Sequence, residues 1–269
     1  MLERYKSGMV GPDALAGPAI KIFEKHFKYI VLIGLGIYLP VGLVMELLAG
    51  QFNFFAVYQT RNFSGFFPPL AMLALVTAAV LSLETAALTY FARQKLNDED
   101  ATPLGIMEAA FGNWSKLFIT ALIYLVIVSL GLMLIVPGII FGVFARFCLN
   151  IVVVENVSGA EALRRSAAIV KGRWLRTACV LALLWLIELI PKTIIAIGLS
   201  TVWIFLEALT GTQGAASEAI TAGNPGILFH GFSIFASAIA EVICILFRLA
   251  GALYFFNLYY TSEPKAESL

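Results

Sequence analysis

Glu46, Glu84, Arg146, Glu188, Lys192, Glu241 and Arg248 sit inside long apolar runs of this 269-residue sequence. A charge at hydrocarbon depth costs about 2.5–3.5 kcal/mol on insertion scales, so charges kept there mark either a structural pair or a path for an ion, proton or lipid headgroup. Arg146 is within reach of Glu84, Glu188 or Glu241 if their helices adjoin. Glu188 and Lys192 are four apart on one helix, and Glu241 and Arg248, seven apart, share a face. Two uses follow. Arg146 and one glutamate form an interhelical clamp, or Arg146, Glu84, Glu188, Glu241 and Arg248 line a ligand path. The clamp reading expects Arg146→Ala to lower the folded yield in mild detergent.

Other reactive side chains point nowhere in particular. The three cysteines, Cys148, Cys179 and Cys244, lie in apolar runs without metal-ligand or redox spacing, as expected of small buried side chains. Two histidines, His26 and His230, do not make a bis-histidine haem site within a bilayer, because His26 falls at its edge. No nucleophile stands beside a base in a pattern that suggests hydrolysis, and Ser166 next to Arg165 reads as part of an amphipathic helix. The expectation is a protein that is not an enzyme and holds no metal or cofactor.

The elements that would position those charges are membrane helices. The sequence is 60% hydrophobic and 13% charged, with a mean hydropathy of +0.90. A soluble domain is closer to 45–50% apolar and about 25% charged. The fold class expected is all-α, a polytopic integral membrane protein of six spans in three hairpins. Runs long enough for a hydrocarbon core of about 30 Å cover residues 29–49, 69–91, 117–136, 139–154, 177–209 and 228–260. Pro191 is expected to kink the fifth. Pro137-Gly138 is expected to close the middle hairpin, with Gly138 and Gly142 forming a small-residue seam for close packing. Residues 51–67, rich in rings, are expected at headgroup depth or as a ligand lid.

Amphipathic segments precede the hairpins. Leu15, Ala19, Ile22, Phe23 and Phe27 share one face, and Leu104, Met107, Phe111, Trp114 and Phe118 another. The third is basic, with Arg164, Arg165, Lys171, Arg173 and Arg176. Lys25, Lys28, Trp114, Lys116, Arg164, Arg165, Arg173, Trp174 and Arg176 are the candidates for contact with anionic headgroups. Basic residues fall on one side of the six spans, whereas the opposite loops carry Arg61 alone. The positive-inside rule then puts both termini in the cytoplasm. The N-terminus lacks the apolar core of a cleaved signal, so the first span is expected to stay. Nothing resembles a basic stripe for nucleic acid.

The motifs at His26-Phe27-Lys28, Asn113-Trp114-Ser115-Lys116 and Arg173-Trp174-Leu175-Arg176 align, suggesting three units over residues 13–92, 101–156 and 158–261. Shared anchoring needs at each approach to the membrane would give the same motifs without duplication.

Pro137-Gly138, Arg146, Glu155, Gly159, the run Ala162-Leu163-Arg164-Arg165-Ser166 and Lys171-Gly172-Arg173-Trp174 resemble the signature of bacterial and archaeal six-span proteins carrying the glycerophosphoryl diester phosphodiesterase membrane domain, and of the related YciC-like proteins. The resemblance implies a place in the cytoplasmic (inner) membrane and a part in the cell envelope. In some members the domain is fused to a soluble phosphodiesterase barrel. This sequence has no His, Glu and Asp set for that chemistry, so the resemblance implies no hydrolysis here. The function expected first is a scaffold, assembly factor or accessory subunit of a membrane complex with a protein partner. The alternative is a carrier or flippase for a lipid or small amphiphile that uses the buried charges. A polar cavity between spans two, four, five and six would separate the two.

Overall fold

A computed structural model describes residues 8, 12–49, 67–100, 102–210 and 227–262. Residues 51–66, the loop after Thr210, the Glu46 and His230 side chains, and Arg61 lie outside what it describes. Among the described residues, ten helices follow in chain order: α1 (Pro12–Lys25), α2 (Phe27–Ala49), α3 (Phe67–Leu96), α4 (Pro103–Gly112), α5 (Trp114–Leu132), α6 (Val136–Ala145), α7 (Cys148–Glu155), α8 (Ala160–Val170), α9 (Trp174–Thr210) and α10 (Ile227–Ser262). The same residues include no strand. Six stretches of these described residues are long and apolar enough to cross a membrane, with α6 and α7 together making the fourth. The chain is an all-α, multi-pass membrane protein.

The last helix is the axis of the bundle. α10 packs against α1, α2, α3, α8 and α9. Gly34 lets α2 lie close to it, since a Cβ there would meet Ile245 Cδ1 at 2.6 Å. The core gathers at the end where the short helices α1, α4, α7 and α8 pack. Every residue of α7 from Cys148 to Val153 is buried, and so are Tyr254, Phe255 and Phe256 of α10. The sequence places those rings in an interfacial belt. They are instead the centre of the core, with the Phe147 ring tilted against Phe255 at 5.7 Å and Tyr254 at 6.3 Å between centroids. Farther along, the described apolar side chains of α9 beyond Leu184 and of the α5–α6 tip are mostly exposed, as contact with lipid requires.

The amphipathic segments become α1, α4 and α8. Thr102 caps α4 by accepting from the Gly105 N–H, with Pro103 opening the helix. His26, between α1 and α2, lies edge-on to Phe91 with ring centroids 5.8 Å apart. Burial holds its imidazole below the usual range, helped by Lys95 and Lys25 and opposed by Asp100.

α9 is helical through Pro191, and the Lys192–Glu188 ion pair at 3.0 Å spans the turn that the proline weakens. One expectation about the backbone changes. The middle hairpin turns at Met133–Ile135, before Pro137-Gly138, because proline suits the first turn of a helix. The small-residue seam is accordingly Gly131 on Gly138, not Gly138 with Gly142. A Cβ on Gly138 would lie 2.3 Å from the Leu132 amide nitrogen, whereas one on Gly142 meets nothing nearer than Val128 Cγ1 at 3.9 Å. Gly138→Ala should therefore cost about 1–3 kcal/mol by overpacking, and Gly142→Ala less than about 0.5 kcal/mol. Thermal unfolding of both variants in mild detergent checks this, and equal midpoints would contradict it.

Candidate functional site

Halfway along α10, Arg248 is surrounded by acceptors from four helices. Its Nη1 donates to Glu84 Oε1 of α3 at 2.5 Å and to the Tyr38 hydroxyl of α2. Its Nη2 donates to Glu188 Oε1 of α9 at 2.9 Å and to Glu241 Oε2, two turns earlier on α10. Lys192 completes the group, 3.0 Å from Glu188 and 3.1 Å from Glu241. Arg248 is suited to this position because its planar fork can serve two acceptors on each terminal nitrogen at once. The separation of seven residues along α10 brings Glu241 beneath it, and the separation of four along α9 brings Lys192 to Glu188.

The cation that ties these carboxylates together is thus Arg248 and not Arg146. Arg146 sits in the fourth span and makes no ion pair among the described residues. The reason is a break in the helix: α6 ends at Ala145, Arg146 and Phe147 form a turn, and α7 restarts at Cys148. No Gly or Pro marks that point. Its orphaned backbone groups are met from α8, where buried Ser166 accepts from the Phe147 N–H at 3.1 Å and donates to the Phe144 carbonyl at 2.7 Å. Irregular backbone at membrane depth survives only where protein or a cavity satisfies it. Ser166 is committed to that bond pair, which leaves it no role as a nucleophile.

The break opens onto a cavity of about 490 Å³ between α3, α6, α7, α9 and α10. Arg146, Arg248, Glu84 and Glu188 line it, with Asn150 alongside. Asn150 is itself held by Thr89 of α3, whose hydroxyl it reaches at 2.8 Å. The remaining wall is mostly apolar: Leu81, Leu88, Ile139, Leu181, Trp185 and others. Ile139 and Trp185 are 54% and 64% exposed, so the apolar end of the cavity meets the outer face of the bundle between α6 and α9. The volume falls within the roughly 300–1,000 Å³ of ligand pockets.

Glu188, Glu241 and Cys244 bring ligand atoms within 4.8 Å of one another, but Arg248 and Lys192 already neutralise both carboxylates, which removes the charge a cation would need.

The other candidates lie at the end formed by the short helices. Arg165 grips Glu155 through two bonds of 2.7 and 2.9 Å, Lys116 donates to Asn156 Oδ1 at 2.8 Å, and Arg173 ties the end of α10 through Thr261. Lys25, Lys28, Arg164, Trp114, Trp174 and Arg176 remain on the exposed surface. Gly142 lines the cavity and Gly138 does not. Tyr38 was missed by sequence reasoning, since a tyrosine in an apolar span carries no periodic signal of its own.

No protein-family model, curated protein or solved structure matches this chain.

Removing Arg248 would leave Glu84 without a cation and Glu188 and Glu241 to share Lys192, so Arg248→Met should cost about 3–5 kcal/mol. Arg146→Ala breaks no ion pair and should melt near the wild type. Melting curves in dodecyl maltoside that show the two variants equally damaged would contradict this assignment.

Proposed function

We propose that this chain binds, and carries within the membrane, an amphiphile with an anionic headgroup. One observation carries the reading: Arg146 lines a cavity of ligand size without a carboxylate partner among the described residues. A guanidinium beside an apolar wall is a headgroup site, because its five donors match the oxygens of a phosphate or carboxylate. The acyl part would follow the wall past Leu181 and Trp185 toward the opening between α6 and α9, where lipid chains adjoin the bundle.

The alternative of a scaffold or accessory subunit needs neither a cavity nor a cation held in one. The broken fourth span supports the carrier reading further, since interrupted helices frame the midplane binding sites of many transporters. On this reading the chain is a carrier and not an enzyme, and Ser166 is occupied in holding the turn of the fourth span. The basic residues of the short helices support a cytoplasmic face for that end, with anionic lipid around Lys25, Lys28, Arg164 and Arg176.

Dioctanoyl phosphatidylglycerol and dioctanoyl phosphatidylcholine, titrated into the protein in dodecyl maltoside and followed by tryptophan fluorescence, test the proposal. The anionic lipid should bind more tightly, and Arg146→Gln should weaken it roughly tenfold to a hundredfold. Equal binding of both lipids, or no effect of the substitution, would refute it.

A further inference from the structure

The charges around the cavity cancel only while it is empty of anions. Arg146, Lys192 and Arg248 contribute three positive charges, and Glu84, Glu188 and Glu241 three negative, which sum to zero. An anionic headgroup on Arg146 would bring the sum to minus one in surroundings that are largely apolar. An uncompensated charge there is costly. Balance returns if one carboxylate takes a proton from water.

The three carboxylates are not equivalent. Glu188 is bonded to both Arg248 and Lys192, and Glu241 likewise. Among the described residues Glu84 has Arg248 alone as a cationic partner, and shares that nitrogen with the Tyr38 hydroxyl. Its side chain is also the least exposed of the three, at 10% against 17% and 25%. Yet Glu84 lines the cavity, so a proton can reach it from there. Protonating Glu84 still leaves Arg248 two carboxylates, so the hub survives the change. The other titratable groups nearby do not compete: Tyr38 already accepts from Arg248, Cys244 sits beside the Glu188 carbonyl, and Tyr124 and Cys148, which feel the Arg146 charge, do not line the cavity.

We infer that anion binding at Arg146 is coupled to uptake of one proton by Glu84, so that the cavity takes an anionic amphiphile and a proton together. This rests on the headgroup site proposed above and adds its coupling ion. The step is an acid–base one: a hydronium proton is transferred to a Glu84 carboxylate oxygen, giving the neutral acid, and no other bond is made or broken.

Calorimetric titration of the full chain with dioctanoyl phosphatidylglycerol reads both parts separately. This phosphodiester probe does not itself titrate near neutral pH. Measured in buffers of different ionisation enthalpy, the wild type should take up about one proton per bound lipid, and affinity should rise roughly tenfold for each unit fall in pH. Glu84→Gln should abolish uptake and flatten the pH dependence, while Glu84→Asp should keep both. Binding without proton uptake by the wild type would overturn the coupling and leave the headgroup site standing. Uptake that persists in Glu84→Gln would overturn the assignment to Glu84. No heat from the lipid at all would overturn the headgroup site and the coupling with it. The wild-type measurement decides the coupling even if the Gln variant does not fold.

Discussion

A guanidinium buried among membrane helices has to find its counter-charges within a few ångströms, and Arg248 finds them on three helices. Glu84, Glu188 and Glu241, with Tyr38 as a fourth acceptor, fix α2, α3 and α9 against α10 at one depth. In a lipid environment there is no hydrophobic gain from pressing apolar helices together, so packing and polar bonds must hold the bundle. Most of α9 touches little protein beyond α10 and α6, and its outer face is apolar and exposed. The ionic group is the main polar tie that holds it. The dense aromatic core lies toward the short helices, the thin lipid-facing half lies away from them, and the hub sits where one gives way to the other.

The broken fourth span follows from a second constraint. α7 is buried on all sides, whereas α6 faces outward and packs tightly on α5 through Gly131 and Gly138. One straight helix cannot meet both requirements, and the turn at Arg146 and Phe147 resolves them. Ser166 absorbs the polar cost of the turn. The consequence is a cation left at the edge of a cavity, next to a hub of two cations and three carboxylates. Charge neutrality of the whole group then depends on that cation, and the proposed ligand and proton both act on this balance.

Much of this was legible in the chain. Six apolar runs, amphipathic leads and an uneven charge distribution are compositional signals, and they survive folding because lipid imposes them on any solution. The in-helix spacings at Glu188 and Lys192 and at Glu241 and Arg248 are equally local. Which arginine joins the carboxylates is not local. It depends on helix rotation and depth, which sequence leaves open, and so Arg146 was the natural first choice. The break at Arg146 is also invisible, since the packing that calls for it and the Ser166 that satisfies it lie on other helices and no Pro or Gly marks the site. Pro191 shows the converse, a breaker residue inside a continuous helix. The rings of Tyr254, Phe255 and Phe256 have the composition of an interfacial belt and are core only because α1, α8 and Phe147 pack over them.

Whether the charged group lines a wet cavity or a dry clamp is the point on which the account turns. Gly142 offers a direct probe, since it lines the cavity and has room for a side chain. Gly142→Cys, in a chain with Cys148, Cys179 and Cys244 changed to Ala, would be treated in intact membranes with a charged, lipid-insoluble thiol reagent. A water-reachable cavity predicts labelling of the native protein, slowed by dioctanoyl phosphatidylglycerol. A cysteine that reacts only after unfolding would contradict the account, and leave the charges as a clamp.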